Sequence, residues 1–418
     1  GQASQSDRGF GGNQYISGMF GKNFGEGRGN IILHAEYSNQ ERVFGSQLPW
    51  LRSVNGFNVV DVDPSGLPNG SDGFPDSVFL RDIRSASINR FGLVPITQPP
   101  AAGALCGIGA GPTNGAPSTA GGQPYNCTYL FQPDGSFVPQ TGSRYNAGII
   151  GGILGGNGQT GREGKLLSIQ PQVRRYNLNL LAHYEFSPAF EVFAEAKWNR
   201  VDAVGNNASP TGIQGTFGQF DFRERTRLDN PFLTTAQRNQ IANLIIASGC
   251  NTSFTVACAT TGGALAARGT TAGQGTGGQL NAADIAAINA GTYRFVIGRS
   301  LEDVGNRDEV FQRDTYRIVG GFRGTFNDDW KYEVSLNYGK FKQTVDTNGF
   351  VDRQRFMLSM DAGRNPVTGQ IQCRAQFDPT AAFGYDRGAF QTGSLGSRGN
   401  AGQAARLQAD IAACVPYN

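Results

Sequence analysis

A period of two constrains this chain more than any other feature. From position 176 to 186, Tyr176, Leu178, Leu180, Ala182, Tyr184 and Phe186 take one side, while Asn177, Asn179, Leu181, His183 and Glu185 take the other. Successive side chains of a strand point to opposite faces, so this pattern predicts a strand with one apolar and one mostly wet face. After the short Ser187-Pro188-Ala189 turn the pattern restarts, with Phe190, Val192, Ala194, Ala196 and Trp198 opposite Glu191, Phe193, Glu195, Lys197 and Asn199. The pair reads as a hairpin. A second follows the same rule: Tyr316, Ile318, Gly320, Phe322, Gly324 and Phe326 run to Asn327-Asp328-Asp329, and Trp330, Tyr332, Val334, Leu336 and Tyr338 return. Near the start, residues 15–22 and 30–38 form a third around a glycine-rich turn at 23–29. Three hairpins, at about 14–38, 174–200 and 314–342, predict about six strands.

The connections between them are unequal. Tight turns close the hairpins at one end, whereas segments 39–174, 200–314 and 343 onward leave from the other. Short turns on one side and long loops on the other mark an outer-membrane barrel, while a soluble sandwich would turn its apolar face inward and keep both sets of loops shorter. Aromatic spacing points the same way. Barrels ring their apolar band with Tyr, Trp and Phe at both lipid interfaces. Phe190 and Trp198, like Trp330 and Tyr338, lie eight residues apart on one face, and Tyr176 to Phe186 and Tyr316 to Phe326 lie ten apart. At ~3.3 Å rise and ~40° tilt, these separations project to roughly 20 and 25 Å, close to the ~25 Å band of such proteins. Tyr184 joins the expected interface set. The expected fold is therefore all-β: part of a transmembrane antiparallel up-and-down barrel, with long extracellular loops containing short helices.

Composition narrows the alternatives. Glycine supplies 60 of 418 residues, about twice the usual share, which argues against a helical enzyme. No run approaches the ~18 apolar residues that a spanning helix needs. With 36 basic and 33 acidic residues and no basic stripe, nucleic acid is not an expected partner. Six cysteines fall two to each long segment, Cys106 and Cys127, Cys250 and Cys258, Cys373 and Cys414. Six allow fifteen pairings, of which local bridging within each segment is the simplest, and their use implies an oxidising compartment. Their spacings resemble no zinc motif.

Within the long segments, residues 235–248 read as a helix capped by Thr234 or Thr235 and stopped by Gly249. Residues 281–290 and 403–413 read as two more, and 293–301 alternates again as a strand extension or loop hairpin. The G-x-G-x-x-G match at Gly156 to Gly161 lacks the flanking strand and helix of a dinucleotide site. His34 and His183 fall on polar faces near tight turns, with Glu36 and Glu185 close by, and are the only candidates for a metal or proton-sensitive site; otherwise they line a hydrated surface. No cofactor and no catalytic residue is expected. Trp50, Phe57, Tyr125 and Tyr145 are loop aromatics that could stack on a ligand or pack the loops.

The run 306–338, the loop element Asp361-Ala362-Gly363-Arg364-Asn365-Pro366-Val367-Thr368-Gly369-Gln370-Ile371-Gln372-Cys373-Arg374, and the ending Cys414-Val415-Pro416-Tyr417-Asn418 resemble the barrel of TonB-dependent outer-membrane receptors of Gram-negative bacteria, closest to the large-loop alphaproteobacterial type. The resemblance implies a 22-stranded barrel closed by an N-terminal plug. Such a receptor binds a scarce small-molecule or oligosaccharide nutrient at the cell surface and imports it with energy relayed by TonB. The 418 residues contain neither a plug nor a TonB box, so the chain reads as an internal barrel fragment. Its expected location is the outer membrane, with the bilayer as partner and TonB engaged through another part of the protein. A passive porin or surface adhesin is the alternative, and a soluble secreted carbohydrate-binding β-protein the weakest reading.

Overall fold

The computed structural model describes residues 1–59, 67–68, 70–71, 73, 75, 77–98, 125–145, 152–160, 165, 167–206, 211–213, 225–252, 279–327, 329–382 and 401–418. The chain divides into two compact units. One comprises Gly1–Arg52, Arg162–Ser209 and Glu302–Phe350; the other comprises Ser53–Gly161, Pro210–Leu301 and Val351–Asn418.

The first unit is dominated by a seven-stranded antiparallel sheet. Its strands are β1 (Gln2–Ser4), β2 (Asn13–Phe24), β3 (Gly29–Gln40), β4 (Gln172–Ser187), β5 (Phe190–Gly205), β6 (Glu309–Phe326) and β7 (Trp330–Thr347). Spatial order equals chain order, so the sheet is an up-and-down meander. All three expected hairpins form, with the expected faces: Phe20, Leu33, Leu180, Ala196, Ile318 and Tyr338 pair consecutively across six strands. Two details differ from the expectation. The sheet has seven strands, not about six, because β1 is too short to display alternation. The strands also run several residues past the alternating stretches, since the backbone ladder continues whatever the side-chain polarity. The sheet is open. Among the described residues β7 pairs only with β6, and β1 covers only Asn13, Gln14 and Tyr15 of β2, so no closed barrel forms.

The first hairpin turns through residues 25–28, where Gly25, Glu26 and Gly27 all adopt positive φ. At the other end of the sheet, Arg42 is a clamp. Its guanidinium makes two bonds to the Asp308 carboxylate, at 3.0 and 2.6 Å, and donates to Ser168 Oγ at 2.7 Å. One side chain thus ties together the exit of β3 and the approaches to β4 and β6.

The second unit has a conventional core. Val94, Ile96, Leu228, Ile241, Ile245, Ile288, Tyr293 and Phe295 are buried together. Strands Leu93–Gln98, Tyr125–Phe131 and Phe137–Pro139 supply one wall and α1 (Thr235–Ser248) packs on it. This helix has the expected bounds. Thr234 is its N-cap in a capping box with Gln237, and Gly249 ends it in the left-handed conformation at φ 66°. The second helix, α2 (Ala282–Ala290), is capped by Asn281. A third, α3 (Arg353–Met360), was not legible in sequence, being only two turns long with its apolar residues bunched at one end. The expected C-terminal helix is α4 (Ala401–Ala412). The alternating stretch 293–301 extends no strand of the large sheet. It forms Arg294–Phe295, paired with Thr226–Arg227, and Gly298–Ser300, paired with Thr211–Ile213 and Leu93.

Cys373 and Cys414 form a disulfide across 41 residues, as local pairing predicts. Cys127 and Cys250 are each disulfide-bonded and buried. Cys106 and Cys258 lie outside the described residues. A loop of that length removes about 4 kcal/mol of chain entropy from the unfolded state on a loop-closure estimate. The Cys373→Ala/Cys414→Ala double variant should therefore lose several kcal/mol in a denaturant titration of the second unit, whereas β6 and β7 of the first unit should keep their amide-exchange protection.

Candidate functional site

Two features have functional geometry: the faces of the large sheet and a cleft in the second unit. On the sheet, the apolar row lies open. Leu336 is 80% exposed, Phe20 66% and Ile318 57%. Tyr184, Val192, Phe322 and Val334 occupy consecutive positions of one cross-strand row and converge on no shared core. A solvated exposed band of this breadth would be costly, since each large apolar side chain left in water forfeits about 1.5–3 kcal/mol.

Tyr176, Tyr184, Phe186, Phe190, Trp198, Tyr316, Phe326, Trp330 and Tyr338, the expected interface aromatics, bound this band. At the turn end the rings form an unbroken chain, Phe24 to Tyr184, Phe186, Phe190, Phe322, Tyr332 and Phe326, with centroids between 4.8 and 6.2 Å apart. Glycine makes room for it. A Cβ at Gly29 would stand 2.5 Å from the Phe24 ring and 2.8 Å from that of Tyr184, and one at Gly324 would collide with the Ala189 carbonyl beside Tyr332.

The registers show that the rings descend in steps. Tyr37 pairs with Tyr176. Trp198 pairs with Tyr316 one row nearer the turns, and Tyr338 pairs with Ile318 one row nearer still. At the turn end the sequence is Phe24 and Tyr184, then Phe190 and Tyr332, then Phe326 and Trp330, descending in the same direction. A slip of about one residue per strand is ~3.3 Å along the sheet for ~4.8 Å across it, which corresponds to strands tilted by about 35° to the band. Eight residues at that tilt give a band about 22 Å tall.

The opposite face carries a polar network. Asn177 donates to Glu36 at 2.8 Å and is bonded by Asn199; Arg317 reaches Glu195 at 3.4 Å and Asn337 at 3.2 Å; Arg323 donates to Glu191 at 2.8 Å. One row of this face mixes the two kinds of side chain, Ile32, Leu181 and Val319 standing in line with Glu195 and Asn337. His34 and His183 lie here on adjacent strands. His34 faces Asn179, with 3.2 Å between Nδ1 and Nδ2, and His183 lies 3.4 Å from Glu191. The β3–β4 register sets them four residues apart, about 13 Å along the strands, so they share no ligand shell. No group of three or more metal-ligating side chains occurs among the described residues.

In the second unit a cleft of about 550 Å³ is walled by Phe91, Phe131, Phe232, Phe356 and Tyr417. Three of these walls are held by specific contacts. Asn230 accepts from the Phe232 amide at 3.0 Å and donates to the Met360 carbonyl at 3.4 Å; the Tyr417 amide donates to the Ser359 carbonyl at 3.0 Å; Phe356 and Tyr417 approach to 6.1 Å. Arg299 lies over the Tyr417 ring at 4.9 Å. Among the described residues the lining includes no Asp, Glu, His or Cys, and it provides surfaces for stacking and hydrogen bonding. Sequence reasoning missed this cleft, because its walls come from six separated stretches. Two of the loop aromatics it named lie elsewhere, Trp50 exposed beneath Arg8 and Phe57 exposed against Phe79; the side chains of Tyr125 and Tyr145 fall outside the described ones.

Behind Met360, the Asp361-to-Arg374 element closes on itself. It is a hairpin, Ala362–Arg364 with Ile371–Cys373, whose first and last residues form an ion pair at 3.1 Å. Arg294 holds the other Asp361 oxygen at 2.7 Å, while Arg374 and Arg227 hold Asp229 at 2.9 and 2.6 Å. Burial pushes the Arg294 guanidinium below its ordinary value, and Asp361 opposes this shift.

No family model, no curated protein and no solved structure matches this chain.

Two outcomes follow. Asp361→Leu leaves two buried guanidinium groups without their shared partner, and should cost about 3–5 kcal/mol in thermal or chemical unfolding of the second unit. Binding of 2-naphthol, a planar fluorescent probe, should weaken about fivefold in Tyr417→Ala and in Phe356→Ala, the loss of one ring contact. Phe57→Ala should bind it as the parent does, and equal affinity in all three variants would place the probe outside the cleft.

Proposed function

We propose that the first unit is part of the wall of an outer-membrane β-barrel receptor, and that the second unit binds the nutrient this receptor imports. The carrying observation is the stepped double row of aromatics. Two parallel ring lines, about 22 Å apart and inclined by about 35° to the perpendicular of the strands, are what a tilted barrel wall needs to meet two flat lipid interfaces, where bands of ~25 Å and tilts of ~35–45° are usual. A sheet covered by another protein layer would have no reason to keep its rings on such a slant. The hydrogen-bonded opposite face suits a watery interior.

The cleft supports a binding role. It offers five aromatic walls, and its position in the segments between strands matches where a surface receptor captures ligand. TonB-supplied energy and an N-terminal plug rest on the resemblance carried by the run 306–338, the Asp361-to-Arg374 element and the ending Cys414 to Asn418. A porin or an adhesin would share the wall; the aromatic cleft is what favours a receptor.

The test is a lysine scan with the full chain folded in lipid vesicles. Ala194→Lys and Val334→Lys, in the middle of the band, should each cost about 2–4 kcal/mol of folding free energy. Ser335→Lys, one residue away on the other face, should change it by less than about 0.5 kcal/mol. Equal costs on both faces would end the membrane reading.

A further inference from the structure

On the apolar face, just past the rings on the side of the long connections, the side chains change character abruptly. Beyond Tyr338 on β7 stand Lys340 and Lys342; beyond Trp198 on β5 stands Arg200; beyond Tyr176 on β4 stands Arg174. The acids on this belt are Asp314 and Asp202. Asp314 is committed internally: Arg200 holds both its oxygens, at 2.9 and 3.0 Å, and Trp198 Nε1 donates to it at 3.2 Å. Asp202 accepts from Gln312 at 3.3 Å. Lys340, Lys342 and Arg174 are exposed and make no ion pair among the described residues; Arg174 contacts only Asn39, at 3.4 Å. Among the described residues the cations of the same face at the turn end are Lys22 and Arg28, both on the first hairpin, and Arg28 lies over the Tyr184 ring at 5.8 Å.

We propose that Lys340 and Lys342, with Arg174 beside them, seat the phosphate groups of membrane lipids in the leaflet on the side of the long connections. This rests on the membrane reading above. Its own support is position and charge. At the tilt given by the ring steps, Lys340 stands about 5 Å past the ring line, within a headgroup layer some 5–8 Å deep, and Lys342 about 11 Å past it, outside that layer by about 3 Å, a gap that a four-carbon lysine stem spans. The belt carries four cations against two acids, and the pairing within it leaves the lysines as the outward-facing charge. A lysine ammonium binds phosphate as a point charge and needs no bidentate geometry, which suits a mobile headgroup. Each lysine near an anionic surface should contribute about fivefold in affinity, diminishing as salt is raised.

The experiment uses the full chain in phosphatidylcholine vesicles, with electron paramagnetic resonance of spin-labelled lipids to measure which lipid is immobilised at the protein surface. Spin-labelled phosphatidic acid should be enriched severalfold over spin-labelled phosphatidylcholine. Lys340→Gln/Lys342→Gln should bring the ratio close to one, while Lys197→Gln/Lys331→Gln on the opposite face should leave it unchanged. Equal association of the two lipids with the parent chain overturns the proposal, as does an enrichment that survives Lys340→Gln/Lys342→Gln. Displacement of the lipid by millimolar inorganic phosphate also overturns it, marking a site for the free anion. If neither lipid is immobilised, the membrane reading fails along with it; if both are immobilised without preference, only the lipid seat is lost.

Discussion

A single layer of strands can satisfy its backbone only sideways and its apolar face only by contact with something equally apolar. The large sheet of this protein meets the first demand through six consecutive antiparallel ladders, and the second not at all within the first unit. Leu336, Ile318 and Phe20 stand open on a continuous face, so the stability of the layer depends on an outside medium. On the proposed membrane reading, the ring lines at both ends, the glycines that let rings lie against the backbone and the charged belt beyond Tyr338 all answer a medium that is apolar for a fixed height and polar outside it.

The second unit solves the same problem by a different route. Its segments are rich in glycine and poor in long periodic runs, and its described core is gathered from short strands and two helices. Cross-links compensate. The Cys373–Cys414 bridge fixes the stretch that carries Tyr417, and the Arg294–Asp361–Arg374–Asp229–Arg227 chain pins a hairpin whose own strands are three residues long. Buried ion pairs of this kind add little over an apolar replacement, yet removing one partner is expensive, so they specify one arrangement more than they stabilise it. Their effect here is to hold the walls of the aromatic cleft.

How much was legible in sequence follows from the range over which each signal acts. The hairpins at 176–198 and 316–338 were readable because alternation is local and each tight turn brings its own two strands into register. The helix at Thr235–Ser248 was readable because Thr234, Gln237 and Gly249 are caps that act within a few residues. The two-turn helix Arg353–Met360 was not, since eight residues carry too little periodicity to be seen. The cleft was hidden for another reason: Phe91, Phe131, Phe232, Phe356 and Tyr417 lie 40 to 124 residues from one to the next and share no pattern. The histidines show the converse. His34 and His183 both fall on polar faces near tight turns, yet the β3–β4 register places them four residues apart.

The residues alone determined that this chain makes long two-faced strands joined tightly at one end, with aromatics spaced to bound an apolar band, because those properties are written at separations of two and eight positions. Only the tertiary structure decided how neighbouring hairpins slide against each other, and with it the slant of the ring lines, the company each histidine keeps and the meeting of distant aromatics around one cleft. Inter-hairpin register is set by hydrogen bonds between segments more than a hundred residues apart, and no local pattern carries that offset.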